Sequence, residues 1–265
     1  MLHLPYPQVV FPLMYTIPEE ALQYGFLIES MGAHASRTMM LKELRLLLAA
    51  SDRLTTYEDF HSLIVADNVL LKRTLATRKE SFRRLRELYA LDERILVFRA
   101  LRDLWDSETE AQPMLALLCA VARDPMLRAS AEMILNLQIS QSVTPQMIGQ
   151  ATEQTFPGRF NPTTLANIGR NAASTWQQSG HLRGRAQKAR AQAVCRPSAL
   201  AYALFLGHLC GHRGEGLFTT LWCRLLDAPT HTLHDQAFAA SQAGWIEYRH
   251  TGMVTEVGFS YLLRQ

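Results

Sequence analysis

Amphipathic helical patterns follow one another along almost the whole 265-residue chain, and they constrain its fold more than any other feature. Apolar residues recur at intervals of three and four, which places them on one face of an α-helix. In residues 36 to 50, Met39, Leu41, Leu46 and Leu47 lie among charged side chains, behind a serine that can cap a helix. Strand-like alternation is confined to short stretches. The sequence therefore predicts a mainly α-helical fold with short β-hairpins.

Further helices are predicted from the same spacing and from the turn residues between them. They cover residues 77 to 89, 91 to 105, 113 to 122, 125 to 137, 198 to 226, and 230 to 244. Two alternating segments follow the last of these helices, around the turn His250-Thr251-Gly252, and indicate a β-hairpin. The charges of this hairpin favour packing or protein contact over contact with DNA.

The net charge of +3 conceals a strong segregation of charge along the chain. Residues 1 to 153 carry 16 basic and 19 acidic side chains, residues 154 to 214 carry 8 and none, and residues 215 to 265 carry 3 and 5. An acid-free region that includes helices attracts polyanions, so it predicts contact with nucleic acid. The alternative interpretation is a solvated basic loop. Arginine supplies 23 of the 27 basic residues, which suits bidentate phosphate and base contacts.

Residues 144 to 180, which overlap the start of this region, have the pattern of a helix-turn-helix. Thr144-Pro145 and Asn161-Pro162 each combine a capping residue with a proline at the first helical position, and Gly180 ends the second helix. On a helical wheel the apolar residues at 165, 168, 172 and 176 share one side of that second helix. The other side is acid-free and carries groups that can contact base edges or phosphates in a major groove. Its predicted DNA-contacting residues are Thr163, Asn167, Arg170, Asn171, Ser174 and Gln178.

A basic turn follows Gly180, at the position where a winged helix carries its wing. The chain there runs HLRGRAQKARAQAVCRP. We expect its basic side chains to contact phosphates or the minor groove. They are Arg183, Arg185, Lys188 and Arg190. The alternative is an ordinary pair of antiparallel helices followed by a flexible basic linker.

A second basic cluster lies in residues 72 to 86, which hold seven basic side chains and one acidic side chain. Lys79, Arg83 and Arg86 line one flank of the predicted helix and are candidates for phosphate contact. The acidic residues that follow them offer ion-pair partners. The alternative is therefore a salt-bridged surface helix.

The chain resembles BrxA, the family of small accessory proteins of bacterial BREX phage-exclusion loci. The resemblance is carried by the runs SRTMMLKELRLLLAA, DNVLLKRTLATRKESFRRLRELY, LRDLW and ARDPMLRA, followed by the winged-helix-like segment, and it covers about residues 30 to 195. It implies a cytoplasmic, non-enzymatic, all-α protein with winged-helix modules that binds double-stranded DNA and supports the methyltransferase and ATPase of the system. The family offers no catalytic motif to transfer. The part from about residue 198 is additional to shorter members.

These observations predict three segments. Residues 1 to 140 form a helical, helix-turn-helix-like domain, residues 141 to 197 a winged-helix-like basic segment, and residues 198 to 265 a helical domain that ends in a β-hairpin. Apolar runs are too short to span a membrane. The first residues lack the features of a secretory signal. The four scattered cysteines form no C-x-x-C pair, which is typical of reduced thiols, so we expect a cytoplasmic protein.

The sequence also lacks the common catalytic signatures. It has no phosphate-binding G-x-x-x-x-G-K-[ST] loop, no G-x-S-x-G elbow and no H-E-x-x-H pair. We therefore expect neither an enzyme nor a cofactor. His208 and His212 would share a helix face, but Cys210 would point elsewhere, so no metal is expected there. His231, His234 and Asp235 are interpreted as a helix start.

The predicted function is non-enzymatic binding of double-stranded DNA, largely through phosphates. One alternative is a scaffold in the defence complex whose arginine-rich surfaces hold acidic partner proteins without direct contact to DNA. Another is RNA binding, because a basic helical surface does not by itself distinguish the two nucleic acids.

Overall fold

Helices dominate the structure, as the apolar spacing predicts. The computed structural model describes residues 15–29, 32–252 and 254–264. Its α-helices are α1 Leu41–Ala49, α2 Tyr57–Val65, α3 Leu75–Tyr89, α4 Leu96–Trp105, α5 Gln112–Arg123, α6 Pro125–Ala129, α7 Ala131–Leu135, α8 Pro145–Thr155, α9 Pro162–Gln178, α10 Pro197–Leu209, α11 Leu221–Arg224, α12 Thr230–Gln242 and α13 Ser260–Leu263. In the described ranges, 3-10 helices cover Glu19–Tyr24, Ala33–Ala35, Thr109–Ala111 and Gly214–Thr219.

Two small antiparallel sheets accompany these helices. Strands β1 Ser142–Val143, β2 Leu182–Arg183 and β3 Lys188–Arg190 form one sheet in the order β1-β3-β2. Strands β4 Glu247–Thr251 and β5 Val254–Gly258 form the other, a hairpin directly after α12. The short hairpins expected from the sequence are therefore present.

The hydrophobic core is built around α5 and α10. Every residue from Met114 to Ala122 is buried, and so is every residue from Ser198 to Gly207. A helix that is apolar on all sides must be surrounded by other elements, and α10 packs against α4, α5, α11 and α12. The buried apolar cluster runs continuously from Ile17 to Leu262 and crosses both of the predicted domain boundaries. Within the described residues, no helix has the length and apolar character needed to cross a membrane.

The helix predicted over residues 36 to 50 begins five residues later, at Leu41. Residues 37 to 40 form no regular structure, and both backbone groups of Met39 bond to other elements. The Met39 N–H donates to Thr175 Oγ1 at 2.9 Å, and the Met39 carbonyl accepts from the Tyr89 hydroxyl at 2.5 Å. Met40 adopts a left-handed conformation at φ 52° and turns the chain into α1.

Two other predicted helices are also shorter than their patterns. The segment predicted over residues 91 to 105 is helical only from residue 96. The segment predicted over 125 to 137 divides at Ser130 into α6 and α7. The Ser130 hydroxyl donates to the Leu127 carbonyl at 2.7 Å and accepts from Trp176 Nε1 at 2.8 Å. The break therefore coincides with the point where α9 packs against this part of the chain.

Helices α8 and α9 cross at unusually short distance. A Cβ atom added to Gly169 would lie 2.1 Å from the Pro145 carbonyl oxygen, and one added to Gly149 would lie 3.0 Å from the Leu165 carbonyl oxygen. Both helices start as predicted, because the side chains of Thr144 and Asn161 accept hydrogen bonds from their first turns. Gly169 is therefore required for this close packing, and a side chain at Gly149 would be crowded against the Leu165 carbonyl.

A buried network joins α9 to the first third of the chain. His34 Nδ1 lies 2.8 Å from Asp124 Oδ2, and His34 Nε2 lies 2.7 Å from Thr175 Oγ1. Asp124 also caps α6 through the Met126 N–H at 2.9 Å. Burial raises the pKa of Asp124, but the charge of His34 and the hydrogen bonds from His34 outweigh it and hold that pKa below its usual value. The ionised carboxylate is therefore the folded form.

We predict that Asp124→Ala lowers the free energy of unfolding by about 3 to 5 kcal/mol, because it leaves His34 buried without its charged partner. Urea unfolding followed by circular dichroism measures the loss. Asp67→Ala, which removes an exposed acid, is the matched control and should change stability by less than about 0.5 kcal/mol. Equal small losses in both variants would contradict the assignment.

Candidate nucleic-acid interface

Helix α9 has one face fixed in the core and one face directed outward. Ile168, Ala172 and Trp176 are fully buried, as the apolar side of the helical wheel predicts. Thr163 and Arg170 are exposed on the opposite face. Hydrogen bonds from the buried side hold the helix in register. The outer face is therefore presented by a rigid element, as a nucleic-acid reader requires.

The predicted polar face is divided by the structure. The Arg170 guanidinium donates to Asn167 Oδ1, and the Gln178 carboxamide donates to Ser174 Oγ at 3.3 Å. These groups lie on or near the exposed side of α9. Asn171 differs, because its half-buried carboxamide donates to the His34 carbonyl at 2.9 Å. Its side chain holds α9 against the 3-10 helix Ala33–Ala35, so it does not belong to the interface.

A β-hairpin follows α9 at the place where the sequence predicts a wing. The turn between β2 and β3 depends on Gly184, which has φ 101° and whose added Cβ would lie 2.0 Å from the Gln187 carbonyl oxygen. Arg183 and Arg185 are exposed at this turn. Arg183 Nη2 donates to Ser140 Oγ at 3.0 Å, a neutral partner that leaves its charge uncompensated.

Lys188 joins the hairpin to α9. Its ammonium group donates to Gln177 Oε1, and partial burial lowers the pKa of the lysine. Gln177 was not among the residues predicted from the sequence, since its amide differs in no visible way from its neighbours on the helix. The contact ties the position of the hairpin to that of the helix.

Arg190 does not lie on the predicted surface. It is 2 % exposed, and its guanidinium binds Asp227 through two hydrogen bonds of 2.7 and 2.9 Å. Its charge is therefore consumed inside the protein, where it connects β3 to the turn after α11, and its guanidinium is not available to phosphate. The sequence could not indicate this pairing, because the two residues are 37 positions apart.

Two of the four arginines of α3 are paired with carboxylates. Arg83 lies 2.7 Å from Glu80 and 3.3 Å from Glu87, and Arg84 binds the same two carboxylates. The hydrogen bond from Arg83 lowers the pKa of Glu80 to about 2. Arg86 donates to the Tyr57 hydroxyl at 3.0 Å, and Lys79 is exposed. The pairing of Arg83 and Arg84 favours the salt-bridged helix, whereas the charges of Lys79 and Arg86 remain exposed.

Arg159 lies in the turn between α8 and α9. It is one of the eight basic residues of the acid-free region, but it is not among the predicted DNA-contacting residues. Its guanidinium lies 5.3 Å from the centroid of the Phe156 ring and 5.5 Å from that of Phe160. Cation–π contacts of this kind orient the guanidinium of an arginine. Its position in the turn of the predicted helix-turn-helix is the signal in the sequence that makes it a candidate for the interface.

The His34, Asp124 and Thr175 side chains have the residue types of a hydrolytic triad but not its accessibility. Their exposed fractions are 0 %, 1 % and 0 %. Thr175 Oγ1 also accepts a hydrogen bond from the Met39 N–H. A nucleophile must reach its substrate, so this network is interpreted as structural.

Comparison with known proteins gives no relative from which a function could be transferred. No family model matches the chain, and no curated protein matches it in sequence. The interface therefore has to be evaluated on its own geometry and charge.

Two histidines predict a dependence of stability on pH: His181, which is buried just after α9, and His208, which is half-buried on α10. Burial lowers the pKa of His181, whose ring bonds to Ser179 and to the Leu225 carbonyl, and burial also lowers the pKa of His208 to about 4. The unfolded chain then takes up protons first as the pH falls. The free energy of unfolding should be constant with respect to these groups above about pH 7.5 and should fall from about pH 6.5 towards 4.

We predict that His181→Gln makes this fall shallower. Urea unfolding at several pH values between 4 and 8 measures it, and His231→Gln, which changes an exposed histidine, is the control. An unchanged pH dependence in the His181 variant would show that this ring does not titrate as its burial requires.

Proposed function

We propose that the protein is a non-enzymatic, double-stranded-DNA-binding accessory protein of a BREX-type phage-defence system. In this proposal residues 142 to 190 act as a winged helix, with α9 as the recognition helix and the β2–β3 turn as the wing. Contacts to phosphates supply most of the affinity. The assignment to a BREX system depends on the resemblance to BrxA alone.

One observation carries the DNA-binding part of the proposal. Arg170 on α9 and Arg183 and Arg185 on the adjoining turn are all exposed, and they belong to a region of the chain without an Asp or Glu residue. An exposed positive surface with no neighbouring carboxylate in sequence attracts a polyanion. The paired arginines of α3 do not have this property.

The order of elements also supports the proposal. Between Ser142 and Arg190 the chain forms strand β1, helices α8 and α9 joined by a turn, and the β2–β3 hairpin. Strand β3 pairs with both β2 and β1. An α-helix with its side chains is about 10 to 12 Å wide, which fits a major groove about 12 Å wide. With α9 in the groove, the adjoining turn would meet the phosphate backbone.

We predict that the double variant Arg183→Ala/Arg185→Ala weakens binding to unrelated duplexes equally. The slope of log K against log salt should become less steep by about 2, because each lost phosphate contact removes about one unit. Fluorescence anisotropy with a labelled duplex of about 30 base pairs measures both quantities; the site of a single module is shorter than this.

The control variant is Lys42→Ala/Arg249→Ala, which removes two exposed charges from α1 and β4, outside α9 and the β2–β3 hairpin. It should leave the slope unchanged. Equal effects of the two variants would contradict the wing assignment. Binding to an acidic partner protein, with none to duplex, would favour the scaffold alternative.

A further inference from the structure

Three side chains able to bind a metal converge beside the C-terminal hairpin. Glu215 lies in the 3-10 helix Gly214–Thr219, His234 on α12 and His250 on β4. One potential ligand atom from each residue lies within 4.8 Å of the other two. In the part of the chain that the structure describes, no further group of three such side chains converges. We propose that Glu215, His234 and His250 form a zinc-binding site, independent of the proposed contact with DNA.

The spacing of two of these ligands already suits zinc. His234 Nε2 lies 3.3 Å from Glu215 Oε1. Two ligands about 2.0 to 2.1 Å from a tetrahedral zinc ion lie about 3.3 Å apart. The His250 ring lies beside that of His234, with 4.8 Å between ring centroids and 35° between planes. A ring nitrogen of His250 lies within 4.8 Å of the ligand atoms of Glu215 and His234, and closing a tetrahedral site requires the His250 side chain to move towards them.

The hydrogen bonds around His250 set its tautomer for metal binding. The Thr255 hydroxyl donates to Glu215 Oε2 at 2.5 Å, so its oxygen has to accept the hydrogen bond from His250 Nδ1, which is 2.8 Å away. A neutral imidazole protonated on Nδ1 has its lone pair on Nε2. Zinc-binding histidines commonly donate their other ring N–H to an oxygen in this way.

His234 is oriented by two aromatic residues. Its Nδ1 lies 2.6 Å from the Tyr248 hydroxyl, and its ring stacks on Phe218 with 4.3 Å between centroids. A tyrosine hydroxyl can accept as well as donate. It can therefore accept from Nδ1–H when Nε2 binds a metal, and the stacked ring keeps Nε2 directed at Glu215.

The site differs from the cluster that the sequence singled out. His212 Nε2 lies 3.3 Å from the Tyr15 hydroxyl, and Cys210 is buried. Glu215 and His250, by contrast, are exposed. Two imidazoles and one carboxylate leave a fourth zinc position free. Here that position faces solvent and would hold water, while the ion would connect the hairpin and the 214–219 segment to α12.

Metal binding to the full chain tests the proposal. After treatment with a chelator, the protein is titrated with Zn²⁺ by calorimetry, and with Co²⁺ to record the visible spectrum of the bound ion. We expect one ion per chain and a visible Co²⁺ spectrum. His250→Ala should bind at least about tenfold more weakly, and Thr255→Val should also lose about tenfold because it removes the orienting hydroxyl.

His231→Ala removes an exposed histidine from the same helix and should bind zinc as tightly as the unaltered protein. Glu215→Gln preserves the shape of an exposed side chain, so it separates loss of a ligand from loss of fold. Zinc should raise the melting temperature of the unaltered chain and not that of Glu215→Gln. Absence of saturable binding, or equal affinity in the unaltered chain, His250→Ala and Glu215→Gln, would overturn the proposal.

Discussion

The position of α9 depends on a hydrogen-bonded histidine–aspartate contact that is buried between distant parts of the chain. His34 contacts Asp124 on one side and Thr175 of α9 on the other, and the same Thr175 oxygen accepts the Met39 N–H. Buried polar groups of this kind are stable only when each has its partners. The start of α6, the entry into α1 and the rotation of α9 are therefore linked in one network.

The network holds the inward side chains of α9 in the protein and leaves its outward side chains available to a ligand. Of the inward side chains, Asn171 binds the 3-10 helix Ala33–Ala35 and Trp176 binds Ser130. The close approach at Gly169 fixes the distance to α8. These contacts do not involve the outward residues. The β2–β3 hairpin shows the same division, because Arg190 forms a buried ion pair with Asp227 whereas Arg183 and Arg185 are exposed. The charge open to a ligand is therefore smaller than the charge of the sequence, and more localised.

Local features were predictable from the sequence and distant pairings were not. The caps at Thr144 and Asn161, the apolar side of α9 and the C-terminal hairpin depend on residues a few positions apart. The late start of α1 depends on Thr175, which is 136 positions from Met39. The burial of Arg190 likewise depends on a distant partner. The Glu215, His234 and His250 cluster has no spacing motif, because its members come from three elements that only tertiary packing brings together.

The central claim is that the outer face of α9 and the adjoining hairpin bind duplex DNA through phosphates. Its most direct test is a titration of the unaltered protein against a labelled duplex at a series of salt concentrations. The account predicts saturable binding whose log K falls linearly with log salt, with about 0.9 unit of slope for each phosphate contacted. Unlabelled duplex of unrelated sequence should compete. Absence of binding at low salt, or binding that salt does not weaken, would contradict the account.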